Sequence, residues 1–557
     1  MISYMKHTKN LSTKYIKDMS TKNTEDTKYS IKRRTRKSAS PMTHTFVTRI
    51  FVSFWYNIFR DFRVLRGQYN LMFFVVTALL LASCTSTPQD ATKVDKLPAI
   101  YPDYAGVTIP AGIAPMDFDF TGGPYDCIDV VVKGSKGGEL HANGDDVDFD
   151  VDDWHALTQQ NKGGDLTFTV SVENDGRWTQ YKDFKMTVSP YALDEWGLSY
   201  RRIAPGYEVY GHMGIYQRDL SNFDESAIFD NQAAPGACVN CHTQNRTTPD
   251  NVTFHVRGDH GATFIRHDGQ DEWLKAKNDS LHGSMVYPYW HPSGKYCAYS
   301  TNQTHQSFHA VRSERIEVFD QSSDVFVYEP KTHQLLLDTL IMTKSHYETY
   351  PVFSPDGRTL YFCSSTAEPI PSRYKDIRYN ICKIAFNPVN GTFGNKVDTI
   401  FNARILGKSA THPRPSYDGK YIMFTMSDYG CFPIWHQEAD NWLLDLKTGK
   451  AHPMTAANSN NTDSWHNWNS NSHWFVFTSR RGNGLYTRLY LASIDDKGNV
   501  SKPFLLPQRH PAEYYDQLLD SYNTPDFLSK KVELDMRDAA DAIVSDKRVA
   551  TKVRYLR

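Results

Sequence analysis

One nine-residue stretch carries residue types whose spacing points to a defined chemistry: Pro235-Gly236-Ala237-Cys238-Val239-Asn240-Cys241-His242-Thr243. It contains C-x-x-C-H, the spacing that attaches a c-type haem. Two thiols three positions apart can each add to a vinyl group on one edge of a porphyrin. The next residue, His242, is then held beneath the ring as a proximal iron ligand. With 8 Cys and 21 His in 557 residues, chance gives this pattern in about four chains per thousand.

Other chemistries use the same residues. A zinc half-site would want a second Cys/His pair, and the sequence has no second C-x-x-C. A thiol–disulfide pair would want a βαβ context, which the pattern does not offer. The expected cofactor is one covalent haem c on Cys238, Cys241 and His242. For the distal iron ligand, His255 lies 13 residues past His242 and ranks first, with Met213 as the alternative. His212 and Met285 are further candidates, and for all four a packed core or strand residue is the simpler reading. Without a distal ligand the iron would be five-coordinate and could bind a small gas.

These residues sit in a chain with an envelope-type beginning. Residues 1–63 are basic and rich in Lys, Thr and Ser. The apolar run Leu71–Leu81 is too short to span a bilayer but fits a secretory signal. Leu81-Ala82-Ser83-Cys84 resembles the lipobox of bacterial lipoproteins, which makes Cys84 the expected lipidated first residue. A start near Val64 would account for the signal's distance from Met1. Past residue 83 the chain holds 47 basic and 59 acidic residues, a net of −12, which argues against a nucleic-acid partner. The expected location is the cell envelope, lipid-anchored and periplasm-facing, at the outer membrane. Cys127, Cys297, Cys363, Cys382 and Cys431 remain. Cys297 and Cys363 lie within apolar alternation and read as buried single thiols.

After a polar tether (84–97), residues 98–192 read as a β-sandwich-like module. Its strands are 129–133, 166–172 and 184–188, separated by Gly-rich turns. The acidic run Asp145–Asp150 reads as a solvated loop before a calcium site.

A repeat then takes over. Four segments begin Tyr287-Pro288, Tyr350-Pro351, His412-Pro413 and Trp465-His466, at steps of 63, 62 and 53 residues. The clearest copy is Tyr350-Pro351-Val352-Phe353-Ser354-Pro355-Asp356-Gly357-Arg358-Thr359-Leu360-Tyr361-Phe362-Cys363-Ser364. Pro-Asp-Gly makes a tight turn between two extended arms. One hairpin cannot bury its own face, so copies must stack, and a radial stack is a β-propeller. The segments resemble the TolB-type propeller repeat over about 283–510, with Ser293 for Asp, Tyr417 for Pro, and no Asp-Gly in the fourth copy. With a lipoprotein signal and C-x-x-C-H, the whole resembles haem-attachment, propeller-containing lipoproteins of Bacteroidetes-type bacteria.

The expected fold is therefore all-β: the N-terminal module, then a TolB-like propeller over 193–510 with six blades, or five. A haem loop is expected as an insertion at 225–255, and a helical tail at 511–557, with helices over 512–522 and 531–547. Two functions compete. One is a monohaem protein that transfers electrons to a redox partner or senses a ligand. The other is a propeller scaffold that binds envelope proteins, with the haem structural or absent. A hydrolase is disfavoured, because no G-x-S-x-G occurs and only 47 residues run from Pro511 to Arg557.

Overall fold

The computed structural model describes residues 87–557, apart from 206–210, 259, 276–279, 282, 310, 312, 313 and 546. The basic leader, the apolar run and Cys84 lie outside the described residues.

The N-terminal module is a seven-stranded mixed sheet with a helix packed on it and a separate two-stranded ribbon, Ile100–Tyr101 with Asp119–Phe120, rather than a sandwich of two large sheets. The expected strands lie within Cys127–Gly134, Gly164–Asn174 and Phe184–Val188. The acidic run leads into the helix Val151–Gln160. Asp150 is its N-cap and accepts from the backbone N–H groups of Asp152 and Asp153. The helix buries Trp154 and Leu157 against Phe149 and Phe168. That core continues without a break into the propeller, through Tyr200, Trp474, Leu491 and Phe504.

Six blades follow, each built on four antiparallel strands, which are consecutive in the chain in blades 2 to 6. From the channel outward, blade 2 is Cys238–Asn245, Thr248–Arg257, Ala262–His267 and Gln270–Lys275. Blades 3 to 6 begin with the inner strands Met285–Trp290, His346–Phe353, Ser409–Pro415 and Asp463–Trp468. Blade 1 takes three strands from 197–230 and its inner strand, Ser521–Leu528, from the far end of the chain. The two ends of the propeller thus close the ring by hydrogen bonding to each other. The ion pairs of Arg202 with Glu225 (2.6 Å) and Asp520 (3.0 Å) lie at that seam.

One local device repeats six times. Each inner strand carries a β-bulge that begins with a residue at left-handed φ: Cys241, Tyr287, Tyr350, His412, Trp465 and Thr524, all between 46° and 53°. The bulge sets two inner-strand residues against one on the next strand. That one residue is always a buried aromatic: Phe254, Tyr299, Phe362, Phe424, Phe477 and Tyr200.

Two expectations are corrected here. Residues 238–257 form the two inner strands of blade 2, not an inserted loop. Cys241-His242 takes the place that Tyr350-Pro351 takes in blade 4. In the tail, Pro511–Gln517 and Met536–Val544 are helical as expected, but 521–528 is a strand. Pro525 and the left-handed Thr524 forbid a helix there, and Phe527 and Leu528 pair with 197–198. The last strand, Lys552–Tyr555, pairs parallel with the outer edge of blade 3.

Candidate functional site in the central channel

The bulges aim side chains of the six inner strands at the propeller axis. The level of the left-handed residues is mostly aromatic. Ring centres are 4.4 Å apart for Tyr287 and Tyr350, and 4.1 Å apart for both Tyr350–His412 and His412–Trp465. The other two positions, Cys241 and Thr524, are small. The long hairpin of blade 3, Cys297–Phe308 with Ile316–Glu329, lies against this level. Its Ile316 packs into the cluster of Tyr287, Tyr350 and Trp465. Tyr429 Oη donates to Glu317 at 2.7 Å and Tyr379 Oη to Asp320 at 2.7 Å, tying the hairpin to blades 4 and 5.

The next level is polar. Asp526 accepts from Asn467 Nδ2 at 2.6 Å and Thr243 Oγ1 at 3.1 Å. Burial pushes its carboxyl up to about 7, partly offset by the Arg414 guanidinium. Arg414 lies 5.4 Å from the centre of the Tyr289 ring. Between the two levels is a cavity of about 30 Å³, lined by residues that include Cys241, His242, Arg414, Trp465, His466, Thr524 and Asp526. That volume holds about two water molecules.

The expected haem residues divide between two faces of blade 2. His242 Nε2 lies 3.1 Å from Ser199 Oγ in blade 1, and burial holds the imidazole down to about 4. Arg201 Nη2 in blade 1 approaches both Cys238 Sγ (3.6 Å) and Met213 Sδ (3.5 Å). His255 turns to the opposite face. Its Nδ1 meets Thr263 Oγ1 at 3.0 Å, and Thr253 on that face meets Tyr299 Oη of blade 3 at 2.9 Å. Burial holds His255 down to about 3. Met285 is a core residue between blades 2 and 3, and His212 is exposed beside Tyr216.

These residues do not fit a covalent haem in this arrangement. Cys238 Sγ lies 3.6 Å from Arg201 Nη2 of blade 1, and Cys241 is buried in the lining that also holds Tyr287 of blade 3. Thioether attachment needs both sulfurs at one edge of one macrocycle, and the adjoining cavity, at about 30 Å³, is far smaller than a macrocycle. His242 and His255, on opposite faces of a sheet, cannot hold one iron between them. Among the described residues no cluster of three or more His, Cys, Asp or Glu could hold a metal ion.

Sequence reading missed Arg414, Asp526, His466 and the aromatic level as channel residues. The signal was present: Tyr287, Tyr350, His412 and Trp465 each open a repeat. Their common position marks the bulge, and the bulge marks the axis.

No protein-family model matches this chain, and no curated protein matches it. Several solved structures are similar to it. A putative TolB from Agrobacterium tumefaciens shares 13% identity over 60% of this chain and 98% of its own, at a TM-score of 0.35. The periplasmic gluconolactonase of Pseudomonas aeruginosa shares 11% identity over 59% of this chain and 99% of its own, at 0.31. An oligogalacturonate lyase in complex with manganese shares 10% over 56% and 74%, at 0.32. The sheets themselves define the fold as a six-bladed β-propeller.

Proposed function

We propose that this protein is a binding propeller of the cell envelope, a scaffold with a ligand site in its channel, rather than a cytochrome. The observation that carries this reading is the place of Cys238–Asn245. A strand that lines the axis, pairs with Thr248–Arg257 and is met by blades 1 and 3 is a wall of the ring. The envelope address rests on the lipobox at Leu81–Cys84, and the acidic balance leaves proteins or small molecules as partners. The competing reading keeps one structural support: His242 Nδ1 is buried without a hydrogen-bond partner.

The test is expression in the periplasm of a host with an active cytochrome c maturation system. Haem-stained denaturing gels should show no covalent haem. The Cys238→Ala, Cys241→Ala double variant should keep the β-rich circular dichroism of the wild type. Haem that stays with the native chain and leaves with the two cysteines would replace the scaffold reading by an electron carrier.

A further inference from the structure

The cavity between the two channel levels has an unusual lining. Three buried side chains present polar atoms with no hydrogen-bond partner: His242 Nδ1, Trp465 Nε1 and His466 Nε2. They are 7%, 7% and 3% exposed. Thr524 Oγ1 is a fourth such atom. A buried polar atom left unpaired is costly, so four around one cavity call for an occupant.

The charge of that occupant follows from Arg414. Arg414 lines the cavity, and among the described residues its guanidinium bonds only the carbonyl of Pro413, at 3.3 Å. Among the described residues no carboxylate lies within ion-pair distance of it. The one carboxyl in the lining, Asp526, already accepts from Asn467 and Thr243, and burial favours its protonated form below about pH 7. Trp465 Nε1 can only donate, the Thr524 hydroxyl can donate, and each neutral imidazole can present an N–H. A half-buried cation with converging donors suits an anion, and the planar guanidinium suits a carboxylate.

We propose that this cavity binds a small carboxylate, seated on Arg414 with Trp465 Nε1 and Thr524 Oγ1 as further donors. A space of about 30 Å³ suits a free acid of a few heavy atoms. The proposal rests on the scaffold reading. Covalent haem would remove both, whereas failure of carboxylate binding alone would leave the scaffold standing.

The experiment is calorimetric titration of the purified protein at pH 6 with sodium acetate, against acetamide, its neutral counterpart of similar size. Sodium chloride keeps ionic strength constant. Acetate should bind saturably, roughly tenfold or more tighter than acetamide, as expected for hydrogen bonds to a charged group. It should also raise the thermal midpoint in a concentration-dependent way. Arg414→Gln should abolish the preference and Arg414→Lys should restore part of it. Trp465→Phe, which keeps a ring but removes the N–H, should weaken acetate several-fold with the circular dichroism unchanged. Equal binding of acetate and acetamide, no saturable binding, or an Arg414→Gln variant that is folded and binds acetate like the wild type would overturn the proposal. Glycylglycine bound as tightly as acetate would overturn the small-acid assignment.

Discussion

His242, His255 and His466 show how position outweighs motif at the scale of one residue. Each is buried in the ring, and burial holds each well below an ordinary imidazole, to about 4, 3 and 3. All three are neutral in the fold and become cations in the unfolded chain below about pH 6.5. The unfolded state therefore binds more protons between pH 6.5 and 4, and these groups make the fold lose stability as pH falls through that window. Asp526 acts with the opposite sign. The fold retains its proton up to about pH 7, so its contribution is lost as pH rises from about 4 to 7. His255→Gln should accordingly make the acid limb of the stability curve shallower. The change is up to about 1.4 kcal/mol per pH unit, the limit for one proton. Urea unfolding at pH 4.5, 5.5 and 6.5 measures it. An unchanged slope would mean that His255 is protonated in the fold. At this scale the sequence was half legible. It named Cys238, Cys241 and His242 as the notable residues, and buried free thiols at Cys297 and Cys363 are found. What those three residues face is decided by blades 1 and 3, which no local pattern encodes.

The repeated element is the inner hairpin with its bulge and turn. In blade 4, Ser354 Oγ donates to Asp356 Oδ1 at 2.5 Å, and Gly357 N–H donates to Ser354 O at 2.8 Å. Gly357 sits at φ +69°, and a Cβ there would come within 2.1 Å of His291 Nε2 in blade 3. The imidazole itself meets Gly357 O at 3.0 Å, so this turn is also a joint between blades. Gly419 in blade 5 has the same backbone, φ +73°, with open space around it. Gly419→Ala should then cost only the left-handed backbone, about 1–2 kcal/mol. Gly357→Ala should cost clearly more, because the His291 joint must also shift. Urea midpoints for the two variants test this, and equal costs would show that His291 moves aside freely. The Pro-Asp-Gly copies were legible because their turn chemistry is local. The copies at 238–257 and 521–528 were not, since Cys-His and Thr-Pro-Asp carry the same bulge without the Asp-Gly turn. Their identity lies in a left-handed kink set opposite a buried aromatic on the neighbouring strand.

For the molecule as a whole, closure is the governing feature. A chain that ended its propeller at residue 510 would leave 197–203 as an open edge facing the axis. Strand 521–528 fills it, and the helix Met536–Val544 then covers Phe229 and Phe254 with Ala539 and Ile543. A stack of copies was predictable from the need of each hairpin for a neighbour. That the first blade borrows its inner strand from the tail was not, because the pairing spans more than 300 residues. The account depends on two inner strands, one bearing C-x-x-C-H and one closing the ring, being as much part of the core as the inner strand of blade 4. Native-state hydrogen exchange read by mass spectrometry measures this directly. Amides in 238–245 and 521–528 should exchange only with global unfolding, at the rate of those in 346–353. Exchange of 238–245 within seconds, with 346–353 still protected, would mean that the C-x-x-C-H stretch is a mobile attachment loop and would contradict the account.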